Sequence, residues 1–476
     1  MTPLLLVVVP VVFALACALD VKPRTALSLL MAAGLLEAIV AVAIGADLLP
    51  QIGALNYVRV DATTRLFVML IDSIFFGVAV YVWNRVRTTR ELEVGIQRFV
   101  GLALLFLAAA NFVLIANHLV AMWIALEATT LAAAPLIVRS GIPSSRLASW
   151  RYLLFSAVGL GLAFLGLLCL ARSMEIDGNE PSFFLDAIPV LTHKANEWRQ
   201  LGLALAILGF GTKLGLAPMY TWLPDVYDEA PPATTALLAA VQFNCALVAL
   251  VRVIEAFRAG CEDLVAGELL TIGLASMAVS TVSIIATRNF KRLLAYASIN
   301  HAGVIAIGLG VGKPAAYGVV LYVVSNAFIK AILFLTAGKI KAYYRTKDTR
   351  AIAGLLKDLP YSGLALMVGT FALLGFPPFG SFLGELIILS GLVQSGQILV
   401  FTTFCLLIAA TFVATGRTIF PMIWGEPKRH VTWPRQTAIS VAPKLVFFVV
   451  LVAMGLYVPP AVGALFREVS MSLGER

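Results

Sequence analysis

The stretch GTKLGLAPMYTWLPDVYDEAPP, from Gly211 to Pro232, restricts the fold more than any other. It lies in an apolar run that begins at Leu201, and it carries Lys213 near the middle and Pro218 five residues later. Placing a lysine at the centre of a membrane helix costs roughly 2.5–3.5 kcal/mol even on the most lenient scale. A proline beside it frees backbone carbonyls that need water or polar partners. A buried cation on a broken helix points to a hydrated site for moving charge.

The rest of the chain fits a membrane solvent. Of 476 residues, 60 % are hydrophobic and 13 % charged, which excludes a soluble multidomain protein. The alternation of an outer-membrane barrel is absent. Apolar runs of about 17–25 residues predict fourteen spans, at 4–19, 26–45, 62–84, 98–116, 118–138, 151–172, 201–223, 233–254, 265–286, 291–311, 316–340, 361–390, 397–422 and 440–463. The first run has no basic residue before it and reads as a retained helix rather than a signal peptide. The expected fold class is therefore an all-α polytopic membrane protein.

The net charge of +9 comes from Lys and Arg in the loops. Loops after odd-numbered spans hold 23 of these residues and loops after even-numbered spans hold 7. This bias places the odd loops in the cytoplasm and both termini outside, and it removes nucleic acid as a partner. Cys17, Cys169, Cys245, Cys261 and Cys405 are scattered, and His118, His193, His301 and His430 form no close pair. Neither a metal site nor a redox cofactor is expected. Gly209-Phe-Gly211 with Gly215 follows no strand, Gly308 to Lys313 is one residue short of a P-loop, and Asn179 fails the glycosylation spacing.

Several polar residues share one depth. Glu127 is central in span 5, Lys213 in span 7, Asn244 in span 8, His301 in span 10 and Lys330 in span 11; Glu385 follows a break at Pro377-Pro378 in span 12. If the spans are adjacent, these residues form a row halfway across the membrane. Desolvation makes a lysine readier to release its proton, and a nearby carboxylate restores its hold. Glu127, Lys213, His301, Lys330 and Glu385 are the expected proton-transfer groups. Asn244 and Asn326 hold water, because amides do not titrate. Glu37 and Asp72, near the centres of spans 2 and 3, belong to a second pathway, face a neighbour, or serve as structural hydrogen-bonding groups. The breaks at Pro218 and at Pro377-Pro378 lie five spans apart. Five is odd, so spans 4–8 and 9–13 read as inverted repeats. The chain then divides into an N-terminal three-helix segment (1–97), a first repeat (98–258), a second repeat (259–425) and a C-terminal helix (426–476).

The stretch around Lys213 resembles the signature of the antiporter-like subunits of respiratory complex I, Mrp antiporters and membrane-bound hydrogenases. The same holds for Asn289 to His301, Asn326 to Lys330 with the following Ala-Ile-Leu-Phe-Leu, and Gly375-Phe-Pro-Pro-Phe-Gly380 with Gly384-Glu385. Trp123-Ile-Ala-Leu-Glu127-Ala-Thr-Thr is most similar to the hydrogenase-4 component F branch, and the likeness covers roughly residues 60–425. It implies a fourteen-helix fold with two inverted repeats and a coupled pair at Glu127 and Lys213. It also implies proton carriers at Lys330 and Glu385. Asn244 stands where many members have lysine, and Asn326 where many have histidine. The expected ending soon after span 14 leaves no long lateral helix. The resemblance implies a proton-translocating, or else sodium-translocating, subunit in a bacterial-type inner membrane. Partner subunits would carry out hydrogen evolution, formate oxidation or quinone reduction. The alternatives are the membrane subunit of an inorganic-carbon uptake complex with a zinc-bearing soluble partner, and a multi-subunit cation/proton antiporter.

Overall fold

The computed structural model describes residues 2–19, 22–48, 56–89, 95–188, 196–427 and 438–474. Arg90, Lys194, Lys428, Arg429 and Arg435 of the charge count, with His193 and His430, lie outside the described residues.

The described chain is helical. Its helices are α1 (Leu5–Ala18), α2 (Pro23–Gly45), α3 (Ala62–Thr89), α4 (Ile96–Ile115), α5 (Leu119–Ile137), α6 (Pro143–Ile176), α7 (Glu197–Leu214), α8 (Trp222–Glu229), α9 (Pro232–Leu237) and α10 (Phe243–Phe257). They continue as α11 (Glu262–Ala286), α12 (Phe290–Val311), α13 (Ala316–Tyr344), α14 (Leu355–Asp358), α15 (Pro360–Leu373), α16 (Gly380–Gln394), α17 (Ile398–Trp424), α18 (Ala438–Leu456) and α19 (Pro460–Gly474). A π-helical turn, Leu238–Gln242, joins α9 to α10. Among the described residues the extended pairings are isolated bridges, such as Asn289 with Asp348.

Proline fixes many of the helix starts. Pro23, Pro143, Pro232 and Pro360 occupy first positions, where the missing N–H costs nothing. Pro143 starts α6 well before the expected boundary at 151. Asn289 caps α12 by accepting from the N–H groups of Lys291 and Arg292.

Ten of the described helical segments are long and apolar enough to cross a membrane, and the pair α18–α19, bent by 75°, makes an eleventh. The helices α1, α15 and α16 are apolar but shorter. The outward faces are hydrocarbon-like: on α17, Leu399, Leu406 and Val413 follow one another at seven-residue spacing, and all are exposed. The chain is a multi-pass membrane protein. The most apolar stretches of the continuous span α9–α10 and of the helix α13 are wholly buried, and these helices carry Asn244, Asn326 and Lys330.

Both expected breaks occur, and they share one plan. After α7, Gly215 takes a left-handed conformation (φ +77°) and Pro218 follows three residues later. After α15, Gly375 does the same (φ +66°), with Pro378 three residues on. Each of these prolines follows a cis peptide bond. The freed backbone groups find partners inside the protein, as a membrane interior demands. Ser276 Oγ accepts from the Ala217 N–H (2.8 Å), and the Trp222 indole donates to the Thr212 carbonyl (2.9 Å). At the second break Ser381 Oγ donates to the Ala372 carbonyl (2.7 Å).

Close packing of α6 on α7 holds the first break. A side chain at Gly209 would run into the backbone of Gly159 and Ala163, and one at Gly166 into Gly202 and Ala206. Small residues at such spacing let membrane helices approach backbone to backbone.

Candidate functional site

Lys213 lies in the last turn of α7 and is 2 % exposed. Its ammonium donates to Thr130 Oγ1 (2.5 Å) and Tyr152 OH (3.3 Å), and it sits 4.6 Å from the Tyr152 ring centre. Glu127 is half-buried on α5. It does not touch the ammonium; Thr130, one turn further along α5, has one hydroxyl proton for two acceptors, Glu127 Oε2 at 3.5 Å and the Leu126 carbonyl at 3.4 Å. The carboxylate and the lysine are thus joined through a hydroxyl. Ile124 and Leu131, one turn either side of Glu127, are exposed, so this part of α5 faces out of the chain.

The hydroxyl layer continues sideways. Tyr152 donates to Gln242 Oε1 (2.8 Å), and the Gln242 amide donates to Thr129 Oγ1 (2.9 Å). Gln242 ends the π-helical turn, a distortion often found at functional sites. Two residues on, the Asn244 amide donates to the Ala240 carbonyl (2.6 Å), which leaves its Oδ1 buried without a protein partner.

The second half of the row gathers on α12, α13 and α16. Lys330 Nζ is buried, lies 3.8 Å from the Phe243 ring centre and has no hydrogen-bond partner. His301 Nε2 meets the Leu373 carbonyl at 3.0 Å, and Nδ1 meets Tyr322 OH at 3.0 Å. The Leu373 carbonyl is free because its helical partner four residues on would be Pro377, which has no N–H. The break therefore supplies the ligand for the histidine. Asn326 lies beside the ring, with Oδ1 unpartnered. Glu385 stands in the second turn of α16, its carboxylate against Gly375, where a Cβ would collide with it. His301, Tyr322, Glu385, Asn300 and Thr411 line one small cavity of about 20 Å³, enough for a water molecule.

The fold thus gathers the sequence-derived residues into two groups, one around Lys213 with Glu127, and one around His301 with Glu385. Lys330 and Asn244 lie between them. No hydrogen bond among the described residues joins the Lys213 group to Lys330. Sequence reasoning did not find Thr130, Tyr152, Gln242 and Tyr322. Thr130 carried a faint signal, being on the face of Glu127 three residues on; the tyrosines carried none.

Two polar clusters flank the row. Asp225 pairs with Arg151 and Arg292, and Asp228 with Lys347 (2.8 Å). The buried Lys291 donates to the carbonyls of Asp228 (2.6 Å) and Ala230 (3.2 Å), closing the end of α8. Elsewhere the buried Arg252 donates to the Ala116 carbonyl (2.8 Å) and Thr64 Oγ1 (2.7 Å) and reaches Asp61 at 3.5 Å. Burial alone pushes the Asp61 carboxyl up; Arg252 and the Thr64 N–H override it and hold the group below its ordinary range. Among the described residues no cluster of His, Cys, Asp and Glu has a metal-binding arrangement.

The chain is 28 % identical over 432 residues to the hydrogenase-4 component F homolog of Methylacidiphilum infernorum, covering 88 % of this chain and 89 % of that one. It is 27 % identical over 362 residues to an Na(+)/H(+) antiporter subunit of Bacillus subtilis, covering 74 % and 71 %. Its fold is similar to a chain of the Mrp complex from Dietzia sp. DQ12-45-1b (TM-score 0.85, 19 % identity, 99 % of this chain and 96 % of that one). It is also similar to a chain of respiratory complex I from Thermus thermophilus (TM-score 0.81, 24 % identity, all of both chains). The sequence profile of the NADH:quinone oxidoreductase/Mrp antiporter transmembrane family matches residues 116–411, from the approach to α5 into α17, and the chain belongs to that family.

Proposed function

We propose that this chain is a proton-translocating, antiporter-like subunit of a membrane-bound redox complex of the hydrogenase-4 or NADH-quinone oxidoreductase type, set in the inner membrane with both termini outside. The observation that carries this reading is the hydroxyl-bridged pair. Lys213 is buried at a helix break, and its carboxylate partner is half-buried at the chain's lateral face, where a neighbouring subunit can act on it. A charge change in the neighbour draws Glu127 away from Thr130 and loosens Lys213. Lys213 then gives up its proton towards Lys330, His301 and Glu385. Re-pairing with Glu127 draws in the next proton. The unpartnered atoms Asn244 Oδ1, Lys330 Nζ and Asn326 Oδ1 are where water fits into the row. Tyr322 hands over between His301 and Glu385.

The architecture that suits this role has fourteen spans. Counting α7 with α8, α9 with α10, α15 with α16 and α18 with α19 as one span each, and leaving out the one-turn α14, the helices make that number. Spans 4–8 and 9–13 form inverted repeats, and support comes from the shared Gly-x-x-Pro plan of the two breaks. Residues 1–97, 98–258, 259–425 and 426–476 are the corresponding segments.

The likeness to a subunit of an Na(+)/H(+) antiporter supports a second reading, in which the row serves cation/proton exchange without redox partners. One experiment addresses both readings. In inverted membrane vesicles containing the whole complex, Lys213→Ala should abolish proton uptake driven by the redox substrate and leave assembly intact. Unchanged uptake refutes the assignment. Uptake that requires a sodium gradient and no electron donor favours the exchange reading.

A further inference from the structure

A second buried polar group lies outside residues 116–411, on the N-terminal helices. Glu37 of α2, Asp72 of α3 and Asn111 of α4 are all fully buried. The Asn111 amide nitrogen lies 3.1 Å from Asp72 Oδ1, 3.5 Å from Glu37 Oε2 and 3.1 Å from the Leu6 carbonyl. That carbonyl is available because its helical partner would be Pro10, inside α1, which has no N–H. A primary amide has two N–H donors. Leu6 takes one, and the two carboxyl groups share the other. Among the described residues Glu37 Oε1, Asp72 Oδ2 and Asn111 Oδ1 have no hydrogen-bond partner.

Among the described residues neither carboxylate has an ion pair. Arg65, on α3, is occupied by the Gly45 carbonyl at the end of α2. Arg98, thirteen residues before Asn111 on α4, is about 20 Å along the helix. The helix α1 brings no charged side chain. From α10, Cys245 is the one further titratable group within electrostatic reach of Asp72, and its thiol donates to the Ala110 carbonyl at 3.6 Å. Two ionised carboxylates with one donor between them cannot persist in such a site.

The geometry points to a proton-binding site: Glu37 and Asp72 hold one proton between them. The proton passes from the Glu37 carboxyl to the Asp72 carboxylate and back, one O–H bond breaking as the other forms, with Asn111 donating to the carboxylate that remains. The site adjoins α10 at Cys245, next to Asn244, so it lies one residue from the central row on that helix.

The test is infrared difference spectroscopy of the purified complex between neutral and alkaline pH, with deuterium exchange to identify protonated carboxyl bands. Wild type should show such a band at neutral pH, and Glu37→Gln and Asp72→Asn should each remove or shift it. If one of these carboxamides fails to fold, the other decides, because either removes the shared proton. Lys213→Ala should keep the band while losing transport, which separates this proposal from the reading of the central row. A spectrum unchanged by both carboxamides overturns the proposal. So does a melting temperature raised by sodium over potassium in wild type and not in the variants, since the pair would then hold an alkali cation.

Discussion

Replacing Thr130 by Val tests the central mechanism with little disturbance of packing. The two side chains have nearly the same shape, and Thr130 is fully buried, so the change removes a hydroxyl and leaves no cavity. Lys213 loses its 2.5 Å contact and keeps Tyr152 OH at 3.3 Å, and Glu127 loses its only hydrogen-bonded route to the ammonium. A hydrogen bond to a charged group is worth about 1.5–3 kcal/mol, which is about tenfold to a hundredfold in the equilibrium that draws Lys213 back to Glu127. Redox-driven proton uptake by inverted vesicles, followed with a pH-sensitive dye, should fall by at least about tenfold while electron transfer by the partners continues. Thr130→Ser restores the hydroxyl and should restore uptake. In the Thr130→Val background, Glu127→Gln should have little further effect, because the coupling it removes is already broken. Wild-type uptake by Thr130→Val, together with loss in Lys213→Ala, would refute the bridge and require a direct path between Glu127 and Lys213.

Three predictions concern the flanking clusters. Arg252→Met leaves the Ala116 carbonyl without its donor and takes the buried cation from Asp61, and should destabilise the protein by about 3 kcal/mol, the lower end of the range for a broken buried pair because Asp61 stays 27 % exposed and keeps the Thr64 N–H (2.7 Å) and Arg59 (3.2 Å); thermal melting in detergent checks this. Because the Asp61 carboxyl is held below its ordinary value of 3.8, its stabilisation is present above that pH and lost as pH falls through the lowered value, so acid should lower the wild-type melting temperature more steeply than that of Arg252→Met. Lys291→Met strands the carbonyls of Asp228 and Ala230 and should cost about 2 kcal/mol, read as a lower melting temperature, with a wild-type value counting against the capping role.

The sequence shows where charge enters the membrane and where helices break, because both violate the rules that the rest of an apolar chain obeys. Lys213, Glu127 and the Gly-Pro breaks stand out for that reason. Thr130, Tyr152 and Gln242 break no rule in an apolar run, and only the packing of α5, α6 and α10 brings them to the lysine. The break expected at Pro377-Pro378 divides 361–390 into α15 and α16, each too short to cross alone. The pairing of Glu37 with Asp72 was likewise out of reach: the sequence places both near mid-helix, but Asn111 and the carbonyl freed by Pro10 are what join them.

The two breaks hold their titratable side chains by different means. Lys213 lies in the last turn of α7, where the aligned peptide dipoles favour a cation, and the Thr212 carbonyl beside it is taken by the Gly215 N–H and the Trp222 indole. Glu385 is in the second turn of α16, beyond the reach of most of the helix dipole. Its place depends instead on Gly375, whose missing Cβ leaves room for the carboxylate, and on the cavity it shares with His301 and Tyr322. The first break holds a charge firmly in place, and the hydroxyl bridge to Glu127 is the part that can be released. The second sets the Glu385 carboxyl beside a space large enough for water. On the proposed function, this asymmetry gives a strong hold at the entry that a neighbour can relax, and a weak hold at the exit.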